Sequence, residues 1–272
     1  MEKPIYNVDI HLTDKCNLNC KHCNHFCPLV PQDVPQYKSL EYIARNLATL
    51  TRYTDIISGI TLIGGEPFLH PYLSDIIPMA RQLFPSLSIA IITNGTLYDR
   101  LPELAPAIIS NNIMVTLSLY PIPNMDKIKE EFIRYLPPDN LTIDDMSSEI
   151  GFSQQLMMED INTNDHQILI CPRRHWCTQI KDKRLYLCHF AAQINYLNNA
   201  FPNEVHIDEH DCYIQLGPNT TPEMVVDFVN KAIPDVCRHC DDVNQYVEGD
   251  QYYYNTDIWG TSNKELGEFY RR

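Results

Sequence analysis

Cys16-Asn17-Leu18-Asn19-Cys20-Lys21-His22-Cys23 follows directly on the β-branched run from Ile5 to Leu12, and the reading of this stretch decides the fold. Three thiols within eight residues of one loop can converge on one face of an iron–sulfur cube, because thiolate is the ligand such clusters take. The fourth iron of the cube then has no protein ligand. An open coordination position on a metal can hold a substrate or cofactor. On the triplet alone, zinc stays open as the metal.

Downstream, strand and helix signals alternate. Ile57 to Ile63, Leu87 to Thr93 and Ile113 to Leu119 are apolar strands, and Ser39 to Arg52, Tyr72 to Phe84, Thr96 to Ile109 and Met125 to Leu136 have helical periodicity. Repeated βα units imply a parallel sheet with right-handed crossovers. Weaker strands at Leu141 to Ile143 and Phe152 to Met157 bring the count to six, short of an eight-stranded barrel. The expectation is an α/β fold: a partial (β/α)6 TIM-like barrel over residues 1–160.

The rhythm then changes, and residues 161–272 read as a small α+β extension. Trp176 to Ile180 and Arg184 to Cys188 form a hairpin across Lys181-Asp182-Lys183. Thr221-Pro222-Glu223 starts a helix running to about Ala232, and Ser262 with Glu265 makes a capping box for a terminal helix. A second cysteine group runs Cys171, Cys177, Cys188, Cys237, Cys240. A hairpin cysteine plus a distant C-x2-C can close a four-thiolate site, for zinc or for iron–sulfur.

Composition narrows the function. With 272 residues, 44% hydrophobic and 21% charged, the chain is globular, and a net charge of −14 repels nucleic acid and anionic lipid. No apolar run is long enough to span a membrane, and Met1-Glu2-Lys3-Pro4 leads into a strand with no signal peptide, so the chain is expected in the cytoplasm. Ten cysteines in a reducing compartment point to metal, not disulfides.

The sequence resembles the radical SAM superfamily, whose hallmark is C-x3-C-x-aromatic-C after the first strand of a partial barrel. His22 fills the aromatic position, Gly64-Gly65-Glu66-Pro67 ends the second strand, and Thr93-Asn94-Gly95 ends the third. The resemblance implies a [4Fe-4S] cluster on Cys16, Cys20 and Cys23, with the unique iron chelated by S-adenosylmethionine. It assigns Gly64, Gly65 and Glu66 to the methionyl ammonium, while Ser118 is a candidate ribose contact by position. Thr93 and Asn94 are further cofactor-binding candidates, with an ordinary turn as the competing reading. Cys27 reads as a neighbouring thiol and His25 as a loop side chain. The second cysteine group resembles the "twitch" extension of such enzymes, which holds one auxiliary [4Fe-4S] cluster. There the expected ligands are Cys171, Cys188, Cys237 and Cys240, with Cys177 the alternate first ligand and Cys212 a buried free thiol. Lys183 stands where that pattern has Gly, a departure that makes the turn less strained than the pattern implies.

The resemblance further implies reductive cleavage of S-adenosylmethionine to a 5′-deoxyadenosyl radical that abstracts hydrogen from substrate, with a flavodoxin or ferredoxin as donor. An auxiliary electron acceptor suits oxidation of a carbohydrate or cyclitol, with epimerisation of such a molecule also in view. The absence of an extension ahead of Ile5 argues against a leader-peptide module. The alternatives are a maturase that epimerises or crosslinks a ribosomal peptide and, from another class, a non-catalytic zinc-stabilised scaffold. The rings from Tyr246 to Trp259 either line a sugar site or pack a terminal helix. His189 and His239 are placed to cover or tune the auxiliary cluster.

Overall fold

The structure, a computed structural model, describes residues 4–20, 23–146, 156, 160–161, 164–203 and 205–240. His22, the tail from Tyr246 and the Ser262–Glu265 capping box lie outside the described residues. Two compact units are distinguished, one comprising Met1–Leu18 with Pro35–Glu149 and the other Asn19–Val34 with Ile150–Arg272.

In the first unit, strands β1 (Val8–His11), β2 (Gly59–Ile63), β3 (Ser88–Thr93), β4 (Met114–Leu119) and β5 (Leu141–Asp145) lie in the order β5-β4-β3-β2-β1, with every pair parallel. Parallel neighbours need crossovers. These are the helices α1 (Leu40–Leu50), α2 (Leu73–Leu83), α3 (Leu101–Ser110) and α4 (Met125–Tyr135). Ser39 caps α1 by accepting the Tyr42 N–H at 3.1 Å. The result is the α/β parallel sheet expected, open and of the partial-barrel kind.

The register sorts the two faces of this sheet. Ile10, Leu62, Ile91, Val115 and Leu117 share one face and are buried, each 2% exposed or less. The other face carries Asp9 and His11 on β1, Thr61 on β2, Thr116 and Ser118 on β4, and Thr142 and Asp144 on β5. Strand alternation therefore places a core on one side and gathers these hydroxyls and carboxylates, interspersed with Ile63, Ala90, Ile92 and Met114, on the other.

The second unit contains α5 (Asp165–Leu169), α6 (Arg173–Trp176), β6 (Thr178–Lys181), β7 (Arg184–Tyr186), α7 (His189–Ala200), β8 (Tyr213–Gln215), α8 (Pro222–Lys231) and α9 (Asp235–Arg238). β6, β7 and β8 pair antiparallel. Thr221 caps α8 through the Met224 N–H, as expected. Both turn residues of the β6–β7 hairpin are left-handed, Asp182 at φ 52° and Lys183 at φ 59°. The turn is thus of the primed kind that glycine normally serves, and Lys183 carries the strain that its sequence position was expected to relieve. Segment 19–34 groups here for a physical reason. Phe26 and Leu29 are buried in one apolar cluster with Phe190, Leu197 and Val236, and the Phe26 and Phe190 rings are 5.9 Å apart. Of the expected strand from Phe152 to Met157 only Leu156 is described, and it bridges Cys240.

Candidate metal and cofactor site

In the first unit the arm leading to Cys16 is pinned at every step. The Thr13 hydroxyl donates to the Gln36 carbonyl at 2.7 Å, and Asp14 accepts from His11 Nε2 at 2.8 Å and from Lys38 Nζ at 2.6 Å. Burial works against the Asp14 charge, but the hydrogen bonds from His11 and Lys38 and the adjacent positive charge outweigh it and hold this carboxyl far below the usual range. Sequence reading missed this group. The signal was available in two polar residues, Asp9 and His11, set inside the apolar run from Ile5 to Leu12.

Gly64 and Gly65 run against that arm. Gly65 N–H donates to the Thr13 carbonyl at 2.7 Å and Glu66 N–H to that of Lys15 at 2.9 Å. A Cβ on Gly64, whose φ is +154°, would collide with the Thr13 carbonyl, and one on Gly65 with that of Lys15. The missing side chains make room for this protein's own backbone from Thr13 to Lys15.

Glu66 is 1% exposed and accepts three hydrogen bonds: from Phe68 N–H at 2.9 Å, from the Thr93 hydroxyl at 2.7 Å and from Asn94 N–H at 2.8 Å. Burial pushes its carboxyl up to about 7 against those three donors. Asn94 in turn donates its side-chain amide to Asn17 at 3.1 Å and to the Cys16 sulfur at 3.8 Å. Cys16 Sγ also receives the Leu18 N–H at 3.4 Å. Glu66, Thr93, Asn94 and Cys16 are thereby brought together. Ser118, one residue beyond the register partner of Thr93, lies on the polar sheet face beside Asp144.

In the second unit the Cys23 thiol is drawn down to about 7, first by the hydrogen bond from the Cys27 side chain and then by the N–H groups of Cys27, His25 and Phe26, with burial opposing. Cys27 is therefore the neighbouring thiol expected. The donors around Cys16 and Cys23 suit anionic sulfur, which is the form an iron–sulfur cluster binds.

A small pocket is lined by Cys171, Cys188, Cys237 and Cys240 together with Arg173 and Arg174. Burial raises the Cys171, Cys188 and Cys237 thiols, and the other sulfurs raise Cys171 and Cys237 further. Cys177 ends α6 and is not among the lining residues. Cys212 is buried with its thiol toward the Asp208 carbonyl. Among the described residues, no three His, Cys, Asp or Glu side chains meet closely enough to hold a single metal ion. The four thiols ring a space and do not meet at a point.

His189 stacks against His25 with ring centroids 5.1 Å apart and lies 3.3 Å from Arg173 Nη1. Among the described residues no helix is long and apolar enough to cross a membrane.

Residues 10–121 match the model of the radical SAM superfamily. A curated relative, the S-adenosylmethionine-dependent nucleotide dehydratase of Selenomonas ruminantium, is 35% identical over 102 residues, covering 37% of this chain and 34% of that protein. The probable GTP 3',8-cyclase of Pyrococcus abyssi is 33% identical over 107 residues, covering 39% and 32%. The chain thus spans about a third of the length of these relatives. Among solved structures, BtrN in complex with AdoMet and 2-DOIA aligns over 93% of this chain and 98% of its own with a TM-score of 0.58 and 16% identity. Native anSMEcpe with bound AdoMet aligns over 92% and 94% with a TM-score of 0.54 and 12% identity. At such identities these two establish the likeness of fold.

Proposed function

We propose, for a chain whose residues 10–121 are a radical SAM domain, that the protein is a radical SAM enzyme oxidising a polyhydroxylated or amine-bearing small molecule, a carbohydrate or cyclitol, with help from an auxiliary cluster. The cofactors of this superfamily are a [4Fe-4S] cluster and S-adenosylmethionine. When bound, that pair supplies reductive cleavage to methionine and a 5′-deoxyadenosyl radical, which takes a hydrogen atom from substrate.

The protein's own residues would act as follows. Cys16, Cys20 and Cys23 hold the first cluster by their C-x3-C-x2-C spacing. Gly64, Gly65 and Glu66 keep the strand-end turn against Cys16, and Thr93 and Asn94 complete the rim to which S-adenosylmethionine binds. Cys171, Cys188, Cys237 and Cys240 hold the auxiliary cluster, with Cys177 outside it. A flavodoxin or ferredoxin brings the electron.

The observation that carries the reading is the cavity ringed by four thiols, since a second electron acceptor suits a net oxidation. The polar sheet face bears on substrate. Asp9, Thr61, Thr116, Ser118, Thr142 and Asp144 offer hydroxyls and carboxylates, the partners a polyol or amine takes. A second reading, a nucleotide substrate, is favoured by the names of the curated relatives. The same carboxylates and the net charge of −14 oppose a triphosphate.

Anaerobic reconstitution tests the proposal. About eight irons per chain are expected for two four-iron clusters. Aminocyclitols and sugars, nucleoside triphosphates and short peptides are then offered with S-adenosylmethionine and reductant, and loss of two hydrogens from a cyclitol or sugar is the expected product. Turnover of triphosphates alone would transfer the assignment to the second reading, and tightly bound zinc at both cysteine groups would end both.

A further inference from the structure

Arg174 is 2% exposed and lines the four-cysteine cavity. Its guanidinium donates only to backbone: Nε to the Val229 carbonyl at 2.8 Å, Nη2 to that of Ala232 at 2.7 Å and Nη1 to that of Ile168 at 3.3 Å. Those carbonyls belong to α8, to the residue just beyond it and to α5. One side chain therefore ties the segment leading into Cys171 to the segment leading into Cys237. Among the described residues no carboxylate pairs with it, in contrast to Arg238, which pairs with Asp165 at 2.6 Å.

A guanidinium keeps its proton in a protein, so this is a fixed positive charge taken out of water with dipoles but, among the described residues, no carboxylate counter-ion. The groups beside it that can carry negative charge are the sulfurs of Cys171, Cys188 and Cys237, each of which works to hold the guanidinium charged against its burial. Neutral thiols would not balance it. Thiolates bound to iron would, and a four-thiolate cluster gains one further negative charge when reduced. Net charge around a cluster is one of the levers that set its potential.

We infer that Arg174 is the built-in counter-charge of the auxiliary cluster and biases that cluster toward its reduced state. The inference rests on the auxiliary-cluster reading above and deepens it. Arg173 also lines the cavity and its charge also acts on Cys171 and Cys188, but its guanidinium lies over the Phe190 ring, 5.7 Å from the centroid, and toward His189, whereas Arg174 is fixed by three backbone carbonyls.

The test uses the full chain with Cys16, Cys20 and Cys23 changed to Ala, so that only the auxiliary cluster reports. Iron content and spectroscopically monitored redox titrations are compared for Arg174, Arg174→Lys and Arg174→Gln. Lys keeps the charge and gives up the fork; Gln gives up the charge. Gln is expected to keep its iron and lower the potential so that the reduced-to-oxidised ratio at fixed potential falls at least tenfold, about 59 mV for one electron. Lys is expected to stay within about threefold of the parent. Loss of iron from Gln but not from Lys would also support a counter-charge. An unchanged potential in an iron-replete Gln variant, or equal loss of iron from both, would overturn it. A parallel Cys237→Ala variant retaining the parent's iron would instead sink the auxiliary-cluster reading itself.

Discussion

The Thr93 hydroxyl donates to Glu66 Oε1 at 2.7 Å, joining the loop after β2 to the end of β3 inside the first unit. With Phe68 N–H on the same oxygen and Asn94 N–H on the other, the carboxylate takes three donors and is 1% exposed. A buried acceptor with converging donors is costly to remove, because the donors stay buried and unpaired.

Glu66→Ala is therefore expected to destabilise the protein by about 2–4 kcal/mol, and Thr93→Val by about 1 kcal/mol. Denaturant titration followed by circular dichroism measures both. Equal midpoints for Glu66→Ala and the parent would contradict the bridging role.

Acid should stabilise the first unit. Burial lifts Asp9 to about 7 from 3.8, with the Asn7 amide at 2.8 Å only partly offsetting it, and lifts Glu66 to about 7 from 4.5. Both folded values lie above the unfolded ones, so the folded state holds more protons in that window. Their contribution is complete below about pH 4 and is lost as pH rises through about 7. The thermal midpoint should fall between pH 5 and 8, and Asp9→Asn should flatten that fall by on the order of 2–4 kcal/mol at pH 8. A midpoint independent of pH in the parent would refute this.

Gly65→Ala places a Cβ against the Lys15 carbonyl, next to Cys16, whereas Gly217 has nothing within 4 Å of an added Cβ. The first change is expected to cost more than about 2 kcal/mol, and Gly217→Ala to stay within about 0.5 kcal/mol. Iron content after reconstitution should drop in the first only. Comparable behaviour of the two variants would remove the close-approach argument.

Cys171→Ala is expected to lose about half of the reconstituted iron and Cys177→Ala none, since the first lines the cavity and the second does not. Iron and sulfide assays decide it. The reverse pattern would restore Cys177 as the ligand.

What could be read ahead of the structure was what local chemistry encodes. Four of the five parallel strands stood out as apolar runs and the fifth as a weaker one, the helix after Ser39 showed by its periodicity, and Thr221 advertised its helix by its hydroxyl. Helix α7 did not stand out. Eight of its residues are buried, so no polar face gives it a visible period. Strand β8 has three residues, too few for a pattern. Arg174 and the pairing of Phe26 with Phe190 escaped notice because their partners lie far along the chain. Gly64 and Gly65 were singled out by the resemblance, but the close approach of the segment from Thr13 to Lys15 to them is a relation that no single segment encodes.

The two-sided lettering of the parallel sheet has a consequence for how such a protein can change. Odd and even positions along β4 have different surroundings, Val115 and Leu117 in the packed core, Thr116 and Ser118 on the face that carries the hydroxyls and carboxylates. A lineage, or a library built at Thr61, Thr116, Thr142 and Asp144, can thus explore new chemistry while the scaffold keeps its footing.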